Sequence, residues 1–245
     1  MDTLTRDGVT RRRAGGLAAL YLALALIAAI PYFLVVVDYP GAVTAADKVA
    51  LIVANYSSMY AIYMVSYVLF GIAIGILALA LNDRLRTHAP FAAAVATAIG
   101  GLWSVALVMS GMVFTYGMTT VVGIAETDMA QASVSWQAIE PVAMALGGAG
   151  GELLGGLWVL TLCVLALRTG ALPKALGWLG VAIGATGLVS VVPPVHDAAY
   201  VFGLLQIVWF AWLGVTLLRT KPSAVETEVR GERSSARAPL PVASH

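Results

Sequence analysis

The sequence has few of the residues on which metal centres and most active sites depend. Its one cysteine, Cys163, lies in an apolar run, which excludes a disulfide framework and a thiol cluster for a metal. The three histidines, His88, His196 and His245, lie in predicted loops or in the tail, so no buried imidazole pair is available to ligate haem. We therefore predict no metal and no cofactor.

Catalytic motifs are missing as well. The chain has no phosphate-binding glycine loop with its lysine, no H-E-x-x-H and no G-x-S-x-G. The glycines around residue 150 lie within an apolar run with no strand before them, unlike those of a dinucleotide-binding loop. No catalytic residue is identified, and the sequence favours a protein that is not an enzyme.

The sequence has few charged residues, and this indicates the class of protein. Only 11% of the 245 residues are charged while 60% are hydrophobic, and the mean hydropathy is +0.89. The net charge of +1 predicts no nucleic-acid partner. These values are typical of an all-α polytopic membrane protein, whose main partner is the lipid bilayer.

Apolar runs predict a bundle of six transmembrane helices. Two short helices, at about 45–55 and 133–139, are expected at the outer interface, the first ending at Asn55 and the second anchored by Trp136. Residues 1–13 form a cytoplasmic N-terminal segment, and the polar tail at 219–245 is expected to be disordered. The transmembrane domain covers 14–218, with spans at about 14–37, 57–81, 91–118, 142–167, 175–192 and 200–218.

The loops assign an orientation to this bundle. With the N-terminus inside, every basic residue except Lys48 falls on the cytoplasmic side, and most acidic loop residues fall outside. Both termini are then cytoplasmic. Arginine far outnumbers lysine and alanine is abundant, which is typical of a bacterial genome of high GC content, so we expect the membrane to be the inner membrane of a bacterial cell. The basic residues placed inside are those of the tail together with Arg6, Arg11, Arg12, Arg13, Arg84, Arg86, Arg168 and Lys174.

The stretch 146–157, LGGAGGELLGGL, places one carboxylate among six glycines. If the fourth span is one helix of about 26 residues, it crosses roughly 30 Å of hydrocarbon and puts Glu152 near the midplane. An acid there costs on the order of 3 kcal/mol, and no Lys or Arg lies in any predicted span to pair with it. We expect Glu152 to be enclosed by protein and protonated near neutral pH.

The glycines around this acid predict close helix packing. In a continuous helix Gly147, Gly151 and Gly155 form one row of small residues, and Gly148 and Gly156 flank Glu152 on the next. A partner membrane helix or a second copy of the chain would fit such a face. The acid itself is then either a functional group or a neutral hydrogen-bonding contact between helices.

Polar residues elsewhere in the spans are candidates to share a pocket with Glu152. Tyr63 and Tyr67 lie on one stripe of the second span, with Ser66 beside them, and Gln206 interrupts the sixth span. A buried phenol or amide normally needs a hydrogen-bond partner. Ordinary packing and anchoring in an aromatic belt also explain the tyrosines and are favoured over a pocket, and both interpretations stay open.

Three segments resemble a bacterial family of six-helix membrane proteins described as a domain of unknown function. They are RTGALPKALGWLGVAIGATG at 168–187, TAADK at 44–48 and the closing LGVTLLR at 213–219. The resemblance implies an integral protein of the cell membrane and carries no ligand or catalytic residues.

Two hypotheses for the function follow. In the first, a pocket formed by Glu152, Gln206, Tyr63, Ser66 and Tyr67 binds or transports a proton, a cation or a small apolar molecule. In the second, the chain is a structural or regulatory membrane subunit, and the glycine-rich fourth span is a surface for helix packing.

Overall fold

The chain folds into long helices packed side by side. The computed structural model describes residues 3–147, 152–195 and 197–219, with side chains from residue 8 onward. Two predicted packing residues, Gly148 and Gly151, and the predicted tail after residue 219 lie outside this part. Within it there is no strand, which confirms the all-α class.

Eight α-helices form seven continuous rods in the described part of the chain, because α2 and α3 are joined by a π-helical turn. The helices are α1 Thr3–Pro31, α2 Ala45–Tyr63, α3 Phe70–Leu85, α4 Pro90–Ala125, α5 Met129–Gly147, α6 Leu153–Thr169, α7 Lys174–Val189 and α8 Ala198–Arg219. The π-helical turns are Tyr32–Val36 and Met64–Leu69, and short 3-10 turns occupy Tyr39–Gly41 and Pro193–Val195.

Four helical segments are long and apolar enough to cross a membrane. They are Gly8–Gly41, Ala45–Leu85, Pro90–Ala125 and Ala198–Arg219. The helices α6 and α7 are apolar but shorter, with 17 and 16 residues. The chain therefore has the helices of a membrane protein, but their number differs from the predicted six.

The difference arises at the predicted fourth span. The second short helix and the first part of that span together form α5, which ends at Gly147, and α6 begins only at Leu153. At Glu152 the backbone is not helical, with φ −87 and ψ 54. The prediction of one helix over 142–167 is thus wrong. Glycine has the greatest conformational freedom of the residues, so a glycine-rich run is where a helix breaks most easily.

The other short helix was predicted more closely. A capping box forms at its start, where the Thr44 hydroxyl accepts from the Asp47 amide and the Asp47 carboxylate accepts from the Thr44 amide. The backbone leaves helical geometry at Asn55, as expected, with φ −123 and ψ 21. The helix nevertheless continues past this kink to Tyr63, so the predicted interfacial helix is the first half of α2.

Two hydrophobic cores fill the bundle. The larger one joins α1, α3, the first half of α4 and α6 to α8, with Trp103, Trp158 and Trp209 buried in it. The smaller one joins α2, the second half of α4 and α5, and we call this part the projecting lobe. At 36 residues α4 is about 54 Å long, which exceeds a hydrocarbon thickness of roughly 30 Å. Trp136 is fully buried in the projecting lobe, so it is not the interfacial anchor that was predicted.

One ion pair joins α2 to α5 within the projecting lobe. The ammonium Nζ of Lys48 on α2 lies 2.7 Å from Oε1 and 2.8 Å from Oε2 of Glu140 on α5. The Tyr39 hydroxyl also donates to Glu140 Oε1, at 2.7 Å, and accepts from the indole of Trp136 at 3.2 Å. We call these four residues the clasp. It supplies the partner for Lys48, which the sequence left as an isolated cation.

Candidate functional site

Three irregularities of the helical backbone surround one cavity of about 220 Å³. They are the π-helical turn after α1, the π-helical turn between α2 and α3, and the non-helical backbone of Glu152 directly before α6. Irregular backbone is tolerated at membrane depth where it is enclosed by protein or lines a cavity, and π-helical turns occur frequently at functional sites. The cavity is lined by Leu26, Ala29, Ile30, Phe33, Leu34, Ser66, Tyr67, Phe70, Trp103, Leu107, Gly147, Glu152, Tyr200, Phe202, Gly203 and Gln206.

Glu152 lies at this cavity, directly before the first residue of α6. Its amide donates to the Ser190 hydroxyl at 3.1 Å, and Ser190 in turn donates to the Gly187 carbonyl at 2.7 Å. These bonds fix Glu152 beside the last turn of α7, and its side chain is half-buried. The 17 residues of α6 place it about 25 Å from Thr169, so Glu152 lies close to one end of the α6–α7 pair. The prediction of a position near the middle of a single span is therefore wrong.

Gln206 of α8 is the most deeply buried polar residue of the cavity, with 2% of its surface exposed. Within the described part of the chain its amide nitrogen Nε2 has no hydrogen-bond acceptor. Leaving a buried donor unsatisfied costs about 1–3 kcal/mol, so such groups normally have a partner. Gln206 is thus a donor available to whatever occupies the cavity.

Ser66 and Tyr67 reach the cavity from the π-helical turn. The Ser66 hydroxyl donates to the Ile62 carbonyl at 2.7 Å, and Tyr21 of α1 donates to the Val65 carbonyl at 2.7 Å. These bonds satisfy one carbonyl in the irregular turn and one just before it. They also hold the Tyr67 ring at the wall of the cavity, where it contacts Phe114 edge to face.

Tyr63, the remaining predicted pocket residue, is placed elsewhere. It is buried in the core of the projecting lobe and stacks on Phe114, with ring centroids 4.4 Å apart. It is absent from the cavity wall. The rings of Tyr63 and Tyr67 remain neighbours, with centroids 5.5 Å apart, but only Tyr67 reaches the cavity.

The predicted packing glycines that the structure describes do not form a single row, because the helix is broken. Gly147 ends α5 and approaches Ser110 and Tyr67. A Cβ at Gly155 would lie 2.7 Å from the Trp103 ring and 2.9 Å from Phe202. Gly156 faces backbone atoms of α7 at Gly184, Gly187 and Leu188. Gly155 and Gly156 are therefore covered by helices of the same chain.

The aromatic and aliphatic wall of the cavity was missed by sequence reasoning. Phe33, Trp103 and Phe202 come from three different helices and lie in runs where nearly every residue is apolar. Ser190, which orients Glu152, gave no signal either. Periodicity alone does not distinguish the lipid-facing side of such helices from the side that faces a cavity.

The fold and the cavity together define an all-helical protein with helices able to cross a membrane and a mostly apolar cavity that contains a carboxyl and an amide. The chain belongs to the family described as Domain of unknown function (DUF4386), whose model matches residues 17–220. This confirms the resemblance to a family of unknown function. No curated protein and no solved structure matches the chain.

Proposed function

We propose that this protein crosses the bacterial inner membrane six times, with both termini in the cytoplasm, and binds a small, mainly apolar molecule in the cavity at Glu152 and Gln206. The placement rests on the distribution of charge. Arg11, Arg84, Arg168 and Lys174 lie at the end of the bundle that contains the start of α1 and the end of α8, which we call the basic end. In bacterial membrane proteins that end faces the cytoplasm.

The six spans of this proposal are α1, the α2–α3 rod, α4, α6, α7 and α8. The 17 residues of α6 meet the lower limit of a membrane span, and α7 is one residue shorter. The helix α5 then packs within the projecting lobe on the outer side. Glu152 and the cavity lie near the outer surface in this arrangement.

The single observation that carries the binding proposal is the amide of Gln206. It is buried, lacks an acceptor within the described part of the chain and lines a cavity whose other walls are largely apolar. A ligand that fits has an apolar body and one hydrogen-bond acceptor. An engineered cavity of roughly 150 Å³ accommodates benzene, so about 220 Å³ suits a substituted aromatic ring or a molecule of similar size.

The packing of α1 against α8 supports access to the cavity from the lipid. At the basic end the two helices touch, since a Cβ at Gly16 would lie 2.7 Å from the Leu218 side chain and 3.3 Å from the Gly214 carbonyl oxygen. At the cavity, a Cβ at Gly203 would meet only Ile30, at 3.9 Å. The looser contact beside the cavity favours entry between α1 and α8 for a ligand dissolved in the bilayer.

A matched pair of probes tests this proposal. Acetophenone and ethylbenzene are similar in size, but only acetophenone carries an acceptor. One net hydrogen bond is worth about 1 kcal/mol, so the purified protein should bind acetophenone about fivefold more tightly than ethylbenzene. In Gln206→Leu this preference should fall to about one. Equilibrium dialysis of the detergent-solubilised protein measures both affinities.

Gln137→Leu is the control, because it makes the same chemical change on an exposed residue of α5. It should keep the preference of the wild type. Failure of the wild type to bind either probe, or an unchanged preference in Gln206→Leu, would contradict the proposal. Glu152→Gln adds a second comparison, since a proton-linked site should lose the pH dependence of its affinity while the melting temperature stays the same.

The alternative of a structural subunit with a helix-packing face has less support. Gly155 and Gly156 contact α4, α7 and α8 of the same chain, so a partner helix cannot reach them. The other glycines of that stretch, apart from Gly147, lie outside the described residues.

A further inference from the structure

A second cavity, of about 450 Å³, lies at the basic end between α1 and the last turns of α3. It lies at the opposite end of the helices from the Glu152 cavity and shares no lining residue with it. Its walls are formed by Arg11, Ala14, Ile76, Leu79, Ala80, Asn82, Asp83 and Arg86.

The rim of this cavity carries a net positive charge. Arg11 Nη1 lies 3.0 Å from Asp83 Oδ2, and Arg86 Nη2 lies 3.2 Å from Asp83 Oδ1. Two guanidinium groups therefore share one carboxylate, which leaves one positive charge in excess. The two arginine side chains are 62% and 59% exposed, and each guanidinium has five donors, so donors remain for a further acceptor.

The opposite wall of the cavity is apolar and continues onto the outer surface of the bundle. Ile76 and Leu79 of α3 are 42% and 63% exposed, and Leu79 is one turn before Asp83. On the outside of a membrane-spanning helix such side chains face lipid acyl chains. The cavity thus changes from apolar to cationic over one helical turn, at the end of an apolar helix.

We propose that this cavity binds the headgroup of an anionic phospholipid, with its phosphate on Arg11 and Arg86 and its acyl chains along Ile76 and Leu79. Arginine pairs with phosphate through two parallel hydrogen bonds, which suits a rim made of two guanidinium groups. Cationic pockets between helices on the cytoplasmic side are a recognised form of lipid site. A zwitterionic lipid brings its own ammonium group, so the excess charge of the rim favours the anionic class.

Lipid retention and thermal unfolding test the proposal. The protein in neutral detergent is titrated with phosphatidylglycerol or with phosphatidylcholine, and native mass spectrometry counts the bound lipids. We expect the wild type to retain phosphatidylglycerol and to melt at a higher temperature in its presence, with phosphatidylcholine at least tenfold less effective. The double variant Arg11→Gln, Arg86→Gln should lose this preference.

The control is Arg13→Gln with Arg168→Gln, which removes the same charge from two exposed arginines that do not line the cavity. It should retain phosphatidylglycerol like the wild type. Equal loss in both double variants would show that net charge alone attracts the lipid, and would overturn the proposal. Unchanged retention in Arg11→Gln, Arg86→Gln would overturn it too.

The variant Asp83→Asn should change lipid retention in the opposite direction. It raises the excess charge of the rim from one to two, so retention of phosphatidylglycerol should increase severalfold. If the three residues serve only as an ion-pair cluster, this variant lowers the melting temperature and leaves lipid retention unchanged, which contradicts the proposal. Glycerol phosphate, the headgroup without chains, should not displace the lipid at the same concentration; displacement would indicate a phosphate site instead of a lipid site.

Discussion

Replacing Gly156 by leucine should abolish folding of the membrane bundle. A Cβ at this position would lie 2.8 Å from the Leu188 amide nitrogen and 3.0 Å from the Gly184 carbonyl oxygen. Both are backbone atoms of α7, so relief requires the whole helix to move. Gly156→Ala should already cost about 1–3 kcal/mol, the range measured for overpacked cores, and leucine adds three more carbons. The yield of monodisperse protein in size-exclusion chromatography, and its melting temperature, measure the effect.

Two other glycines provide matched controls. A Cβ at Gly101 or Gly123 of α4 would meet nothing within 4 Å. Leucine at either position adds the same volume inside a helix of similar composition, and it should leave the melting temperature within a few degrees of the wild type. A Gly156→Ala protein that melts like the wild type would refute the packing of α6 on α7 described here.

The features that sequence predicted best depend on local chemistry. The boundary at Asn55 depends on residues within one turn, since the Asn55 amide donates to the Leu51 carbonyl, and the backbone leaves helical geometry there. The helical character of the apolar segments and the absence of strands follow from composition and periodicity. The family was recognised from the three segments 44–48, 168–187 and 213–219, and it is confirmed.

The break at Glu152 could not be predicted, because glycines in an apolar run fit two structures equally well. They permit close packing of an intact helix, and they also permit a helix to end. The choice between the two depends on tertiary contacts, here the bond from the Glu152 amide to Ser190, 38 residues away. As a result Glu152 lies directly before the first residue of α6, and not in the middle of one continuous span as predicted.

The residues of the candidate pocket were likewise predicted only in part from the sequence. The sequence marked Glu152, Gln206, Ser66 and Tyr67 as polar residues in apolar segments, and the structure places all four around one cavity. Tyr63 looked equivalent to Tyr67, and the two rings do lie 5.5 Å apart, but Tyr63 stacks on Phe114 in the projecting lobe and only Tyr67 reaches the cavity. Whether the four residues bind a ligand stays a prediction.

The clasp is the other place where a single substitution should have a large effect. Glu140→Gln removes the negative charge and leaves the Lys48 ammonium among the clasp residues without its counter-ion. Both side chains are largely shielded from water, at 23% exposed for Lys48 and 11% for Glu140. Removing one partner of a buried pair typically costs 3–5 kcal/mol, so we expect the free energy of unfolding in sodium dodecyl sulfate titrations to fall by about 3 kcal/mol.

The double variant Lys48→Met, Glu140→Gln separates two contributions to the free energy of unfolding. One is the stabilisation by the ion pair, and the other is the destabilisation by a charge left without its partner. Replacing both partners of a buried pair by neutral groups is often tolerated, so the double variant should be more stable than Glu140→Gln alone by at least about 1 kcal/mol. Asp83→Asn is the control, because the two arginines paired with Asp83 are 62% and 59% exposed, and it should change stability by less than about 1 kcal/mol. If the effects of Lys48→Met and Glu140→Gln simply add, the two side chains do not interact. The contact between α2 and α5 would then depend on the apolar side chains of the smaller core, which include Val49, Ile52 and Trp136.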